Sequence, residues 1–182
     1  MTDEQLIQAY KSGDEDAFRT LIKRHEPRVA ATVIGMLGNC PEADDVGQET
    51  FIRFHNSLDQ FRGQASVGTY ITRIAINLSL NELKRRRKRQ FLFFSKSKDD
   101  DEETLVDETG GIEYDDEKEI VRKAIQDLEP DFRAVVVLRM MEGYSTKETA
   151  DMLNVPLGTV LSRLARAQKK LKAVLMPLLG DS

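Results

Sequence analysis

The stretch Ser145–Lys172, STKETADMLNVPLGTVLSRLARAQKKLK, decides how the whole chain is read. Ser145 and Glu148 stand at the S-x-x-E spacing of a capping box, in which each side chain satisfies the other residue's free backbone N–H. A short helix through Ala150 and Met152 is expected to follow. Leu153-Asn154-Val155-Pro156 ends it, because Pro156 lacks an N–H and biases Val155 away from the α region. Proline suits the first turn of a new helix, and beyond it Val160, Leu164, Ala167 and Leu171 recur at helical spacing on one apolar face. Thr159, Ser162, Arg163, Arg166, Lys169 and Lys170 fall on the other side, and no acidic residue lies between Asp151 and Asp181. Two short helices, a tight turn and a basic, hydroxyl-bearing second helix make the pattern of a helix-turn-helix that reads the DNA major groove. A basic amphipathic helix alone is usually a solvated face. The capping box, the proline-marked turn and the unbroken positive sign together turn the reading toward DNA.

The charge of the whole chain hides this. Its 182 residues carry a formal net charge of −4, which argues weakly against a nucleic-acid binder. The charges come in blocks, however: −4 over residues 1–83, +8 over 84–98, −11 over 99–119 and +3 over 120–182. Such alternation suggests basic surfaces that meet DNA and an acidic connector that does not. A 40% hydrophobic, 32% charged composition fits a soluble helical protein of one ordinary domain or two small ones. Cys40 is the only cysteine, and with His25 and His55 it cannot build a standard structural zinc site. There is no apolar run of membrane-spanning length and no signal-peptide pattern. The chain therefore reads as cytoplasmic, with no metal, no cofactor and no membrane insertion. It has no nucleotide-binding glycine loop and no spaced nucleophile–base set, so a catalytic function has no support.

Outward from the helix-turn-helix, Ile120, Ala124 and Leu128 form one helical row, and Phe132, Val135, Val136 and Leu138 another, with Pro130 dividing the two. The run Val135–Val137 is read as buried helix rather than strand, because helical periods flank it. Residues 95–116 are polar and densely charged around Gly110-Gly111, which predicts a flexible linker between two folding units. Near the N-terminus, Thr2 and Gln5 have capping-box spacing, Lys11-Ser12-Gly13 ends a first helix, and Asp14 can cap a second. Pro27 is expected to kink or divide that second helix. Gly38-Asn39-Cys40 stops it, and Pro41 opens a third in which Ala43, Val46, Thr50, Phe54 and Leu58 share a face. A loop is expected over Phe61–Gly68, then a long helix from Thr69 that ends in six basic residues, Lys84–Arg89. Asn77 and Asn81 share a face of this helix and could meet an exposed base edge or be merely solvated. The basic run could be a general phosphate-binding patch. Phe91-Leu92-Phe93-Phe94 is expected to close the core of the first domain, with a partner contact as the lesser reading.

These residues resemble bacterial sigma factors of the extracytoplasmic-function group. Tyr144–Leu171 is similar to sigma region 4, roughly S-x-x-E-I-A-x-x-L-x-x-P-x-G-T-V-x-S-R-x-x-R-A, departing at Leu161 and Gln168, where basic residues are common. Ala43–Phe51 resembles region 2.2 (A-E-D-x-x-Q-E-x-F), with Gly47 where an apolar residue is usual. The segment from Thr69 resembles regions 2.3 and 2.4, with Tyr70 in place of the usual Trp. Leu128–Arg133 resembles the L-P-x-x-x-R of region 4.1. The resemblance covers residues 5–90 and 117–173, both motif sets in the family's order. It implies an all-α fold of two small helical domains: residues 1–94 as region 2, residues 95–116 as acidic linker and residues 117–177 as region 4.

It also implies a non-enzymatic initiation factor that binds core RNA polymerase through the β′ clamp helices and the β flap, and probes promoter DNA. Asp44, Asp45, Gln48, Glu49, Phe51, Ile52 and Arg53 would meet polymerase. Arg62, Gln64, Ser66, Asn77, Asn81, Lys84, Arg85 and Arg86 would recognise and open the minus-ten element. Thr159, Ser162, Arg163, Arg166, Lys169 and Lys170 would read the minus-thirty-five element. An anti-sigma factor is an implied partner, and the acidic linker would run toward the RNA exit path. Two other readings stay open on the residues alone: a helix-turn-helix regulator that works without polymerase, and an interaction adaptor that binds no DNA. The first leaves the Gln48–Glu49 face unexplained and the second the Ser162–Lys170 face.

Overall fold

A computed structural model describes residues 1–96 and 117–179. Among them every regular element is helical: α1 (Asp3–Lys11), α2 (Glu15–Leu37), α3 (Pro41–Ser57), α4 (Val67–Lys96), α5 (Glu117–Gln126), α6 (Pro130–Val136), α7 (Thr146–Leu153) and α8 (Leu157–Leu179). The linker expected over residues 95–116 lies outside the described residues, save Ser95 and Lys96 at the end of α4.

The local start and stop signals act as expected. Thr2 and Gln5 form the capping box of α1, and Asp14 accepts from the backbone N–H groups of Asp16 and Ala17 to cap α2. Gly38 ends α2 at φ 80°, a left-handed conformation that a side chain would oppose. Pro27 does not divide α2, which runs through it as one helix. Packing on both sides outweighs one lost hydrogen bond: Val29 and Val33 just beyond the proline are 2% and 1% exposed. The helix α4 begins at Val67, two residues before the expected Thr69, because Ser66 Oγ accepts from Thr69 N at 3.1 Å and so caps the chain there.

α1–α4 surround a core of Leu21, Val33, Met36, Phe54, Val67, Ile71 and Ile76. The α3 row Ala43, Val46, Thr50, Phe54 and Leu58 is buried as its spacing predicts. One expectation fails. Phe91, Leu92, Phe93 and Phe94 are 51–72% exposed and close no core. They occupy the last turns of α4, where four consecutive residues point in four directions and cannot share one buried face.

α5–α8 form the second unit. Val136, Ala124, Ile125, Leu128, Ala167 and Leu171 pack together, and Val135, Ala150 and Val160 form a neighbouring cluster. The valine run is thus buried helix. After α6 an i→i+5 hydrogen bond from Glu142 N to Val137 O widens the final turn, Val137–Met141. The two units do not stand apart. Ala134, Val137, Leu138, Tyr144 and Met152 of the second belong to the same apolar core as α1–α4.

Candidate nucleic-acid interface

The helix-turn-helix is fixed by backbone accounting at both ends of its turn. Ser145 Oγ accepts from Glu148 N at 3.2 Å, and Ser145 N donates to Glu148 Oε2 at 2.8 Å. Those bonds hold the Glu148 carboxyl below its usual range. Asn154 takes the left-handed conformation (φ 52°, ψ 49°) that ends α7, one that asparagine tolerates better than most residues. Pro156 stands just ahead of α8 rather than inside its first turn, its carbonyl accepting from Thr159 N and Val160 N.

Along α8, Val160, Ala167 and Leu171 are buried, so the opposite side is committed to solvent. Ser162, Arg166, Lys169 and Lys170 are exposed there, while Thr159 and Arg163 are half-buried. Leu161 is exposed on the same helix. The cations are not equivalent. Arg163 donates to Asp131 Oδ2 at 2.7 Å. Lys170 donates to both Glu129 oxygens, at 2.5 and 2.7 Å, and lies 5.2 Å from the Phe132 ring centroid. That hydrogen bond holds the Glu129 carboxyl below its usual range. Arg166 and Lys169 have no ion pair among the described residues. The pairing acids Glu129 and Asp131 escaped the sequence reading; flanking Pro130 at the start of α6, they look like ordinary first-turn acids.

In the first unit, Asn77, Asn81 and Lys84 form one exposed strip along α4. Arg62, Gln64 and Ser66 are exposed in the loop before it. From Val67 to Lys84 the helix rises about 25 Å, so these residues form an elongated band rather than one pocket. The basic run is partly committed. The buried carboxylate of Glu82 is reached by Arg85 at 3.4 Å, Arg86 at 3.5 Å and Arg89 at 3.0 Å. Arg86 also donates to the Leu37 carbonyl at 3.3 Å and to Cys40 Sγ at 3.0 Å, bracing the α2–α3 corner. On α3, Asp44, Asp45, Gln48, Ile52 and Arg53 are exposed. Glu49 is half-buried and accepts from Arg53 Nε at 2.7 Å. Phe51 packs partly on the core. Ile52, 55% exposed on a polar face, is the unusual member.

Family comparison adds independent findings. The description Sigma-70 region 2 matches residues 21–89, and Sigma-70, region 4 matches residues 118–171. The chain is 31% identical to the RNA polymerase sigma-H factor of Pseudomonas aeruginosa, over 99% of this chain and 97% of that one. It is 32% identical to the ECF RNA polymerase sigma-E factor of Escherichia coli (strain K12), over 98% and 97%. The chain belongs to the sigma-70 family. Within it, this sigma factor is of the ECF (extracytoplasmic-function) group: a transcription initiation factor, not an enzyme, that acts with RNA polymerase.

A solved structure of CnrH in complex with the cytosolic domain of CnrY is 26% identical and covers 99% of each chain, with a TM-score of 0.66. The sigma factor RpoE with the anti-sigma factor NepR from Bartonella quintana shares the fold at a TM-score of 0.64, 21% identity and 87% coverage of this chain and 96% of that one. In this sigma factor the α4 strip of region 2 faces α6, the α7–α8 turn and one residue of α8. Asn77, Asn81 and Lys84 of α4 share a cleft of about 330 Å³ with Asp131, Leu153, Val155 and Arg163. No described helix is long and apolar enough to cross a membrane.

Proposed function

We propose that this sigma factor docks on the β′ clamp helices of core RNA polymerase through the outward face of α3 and directs the enzyme to promoters from the cytoplasm. Asp44, Asp45, Gln48, Glu49, Ile52 and Arg53 make that contact, and region 4 meets the β flap. Arg166 and Lys169, with Thr159, Ser162 and Arg163, read the minus-thirty-five element in the major groove. Phosphate contacts set register, and bidentate arginine–base bonds select sequence. The loop residues Arg62, Gln64 and Ser66 with Asn77 and Asn81 capture bases drawn from the minus-ten duplex, whose unstacking cost pocket contacts offset. Lys84 and its basic neighbours hold the strand's backbone. An anti-sigma factor is a further partner in this reading; the Bartonella quintana factor that shares the fold is solved with one.

One observation carries this reading. A polar helix face bearing exposed Ile52 stands on region 2, while Arg166 and Lys169, exposed and without an ion pair among the described residues, stand on α8 of region 4. A helix-turn-helix regulator has use for the second surface only. The test is core binding by the double variant Gln48→Ala, Glu49→Lys. Affinity for purified core falls at least tenfold with the helical circular dichroism unchanged. Wild-type affinity would show that α3 is not the docking face.

A further inference from the structure

The end of α4 serves neither the core nor the strip of Asn77, Asn81 and Lys84. The region 2 match stops at residue 89, while α4 runs on to Lys96. Every residue from Arg87 to Ser95 is exposed. Phe91, Leu92, Phe93 and Phe94 are 51–72% exposed, and none of them belongs to a described core cluster. Single apolar residues scattered over a surface need no explanation, but a contiguous patch of large ones marks an interaction site.

The cations beside the patch divide by helix face. At 3.6 residues per turn, Arg85, Arg86 and Arg89 fall on the side of Glu82, which all three approach. Lys84, Arg87 and Lys88 fall on the other side and have no ion pair among the described residues. Phe91 and Phe94 share that side, within an arc of about 120°, and Leu92 flanks it. Along the axis, Phe91 stands about 6 Å beyond Arg87, and Phe94 about 9 Å beyond Lys88. A pair of free cations thus precedes an apolar tip by about 5–10 Å, the depth to which interfacial helices bury their apolar side chains.

This pattern favours a bilayer over the other partners of a basic helix. A protein groove takes anchors spaced at i, i+3, i+4 and i+7, whereas here four in a row point in different directions. A base stack takes a ring held in a groove that tracks the strand, and the exposed last turns of α4 offer no second wall. A lipid interface receives apolar side chains from any direction.

We propose that the end of α4 is a peripheral docking surface for an anionic lipid bilayer. Phe91, Leu92 and Phe94 enter the boundary between headgroups and acyl chains, and Arg87 and Lys88 meet the lipid phosphates. Each cation near such a surface strengthens binding about fivefold. The sequence turns acidic from Asp99 onward, which opposes the approach, so the contact is reversible and steep in salt.

Flotation of the full chain tests it, with vesicles of phosphatidylcholine and phosphatidylglycerol against vesicles of phosphatidylcholine alone. At low salt the wild type floats with the anionic vesicles and not with the neutral ones. Phe91→Ser with Leu92→Ser and Phe94→Ser lowers the apparent affinity at least tenfold, and Arg87→Ser with Lys88→Ser lowers it about thirtyfold. Both variants keep the helical circular dichroism, and the apolar variant keeps promoter-specific transcription with purified core. A wild type that does not float overturns the proposal. Equal flotation by the apolar variant also overturns it, because charge alone then explains the binding. Anisotropy with a short, mixed-sequence single-stranded DNA is measured beside flotation. A tenfold loss there by the apolar variant, with no vesicle binding by the wild type, assigns the tip to a nucleic-acid strand instead. Loss of core-dependent transcription by the apolar variant, again with no vesicle binding by the wild type, assigns it to polymerase.

Discussion

At the scale of single residues, α8 separates its cations by what they already touch. Arg166 is exposed and has no ion pair among the described residues, and Arg166→Ala is expected to lose roughly 1–3 kcal/mol of promoter affinity and relax sequence choice at one position. Lys169→Ala is expected to weaken binding evenly across sequences and lower the salt slope by about 1. Lys170→Ala should change the slope less, because Glu129 at 2.5 Å already neutralises that ammonium. Slopes measured by anisotropy over a salt series decide; equal losses for Lys169 and Lys170 would refute the distinction. A second residue-scale effect concerns Glu142. Burial lifts its carboxyl above the ordinary range, with Arg28 of α2 and then the Thr32 hydroxyl only partly offsetting this. In the unfolded chain the carboxyl returns to water and its ordinary value. The folded form therefore binds the proton more tightly, and the stability this contributes is full below the ordinary value and fades as pH rises through the raised one. Urea unfolding over a pH series is expected to show the wild-type midpoint falling with rising pH through that window and Glu142→Gln responding less. An identical pH response in both would remove Glu142 from the interface energetics.

At the scale of elements, most of the helices could be read from spacing. Capping boxes at Thr2 and Ser145, the apolar rows of α3 and α8 and the turn at Asn154–Pro156 are local patterns whose physics acts within a few residues. One reading failed where a local rule met tertiary structure: Phe91–Phe94 did not enter a core because α4 carries them past its packed length. Of the two outcomes expected at Pro27, division did not occur, because packing outweighed the missing donor. That exposure has a consequence for stability. Replacing Phe91, Phe93 and Phe94 with Ser is expected to change unfolding free energy by no more than about 0.5 kcal/mol per site, read as an almost unchanged urea midpoint. A loss of several kcal/mol would mean that the aromatic turn packs after all.

At the scale of the whole molecule, the order of the two motif sets was legible, and the docking of one region on the other was not. Docking depends on pairs such as Gln126 with Gly35 and Tyr144 with Thr72, far apart in sequence and without periodicity. Gly35 reads as a mild flaw in a helix until Val137 is seen against it. Arg133 matched a family motif but gave no sign that it reaches the end of α2. Most of the candidate site residues were likewise legible as outward faces, while the half-burial of Phe51, Arg86 and Arg163 and the ion-pair partners Glu129, Asp131 and Glu82 were not. The account as a whole requires that promoter selection depend on polymerase, with both regions engaged. The most direct measurement is transcription of fragmented genomic DNA by purified core polymerase with and without this protein, mapping the 5′ ends. The account predicts discrete new start sites, each preceded by a shared pair of elements near minus ten and minus thirty-five. Specific DNA fragments bound tightly by the protein alone, with no new start sites when core is added, would contradict it.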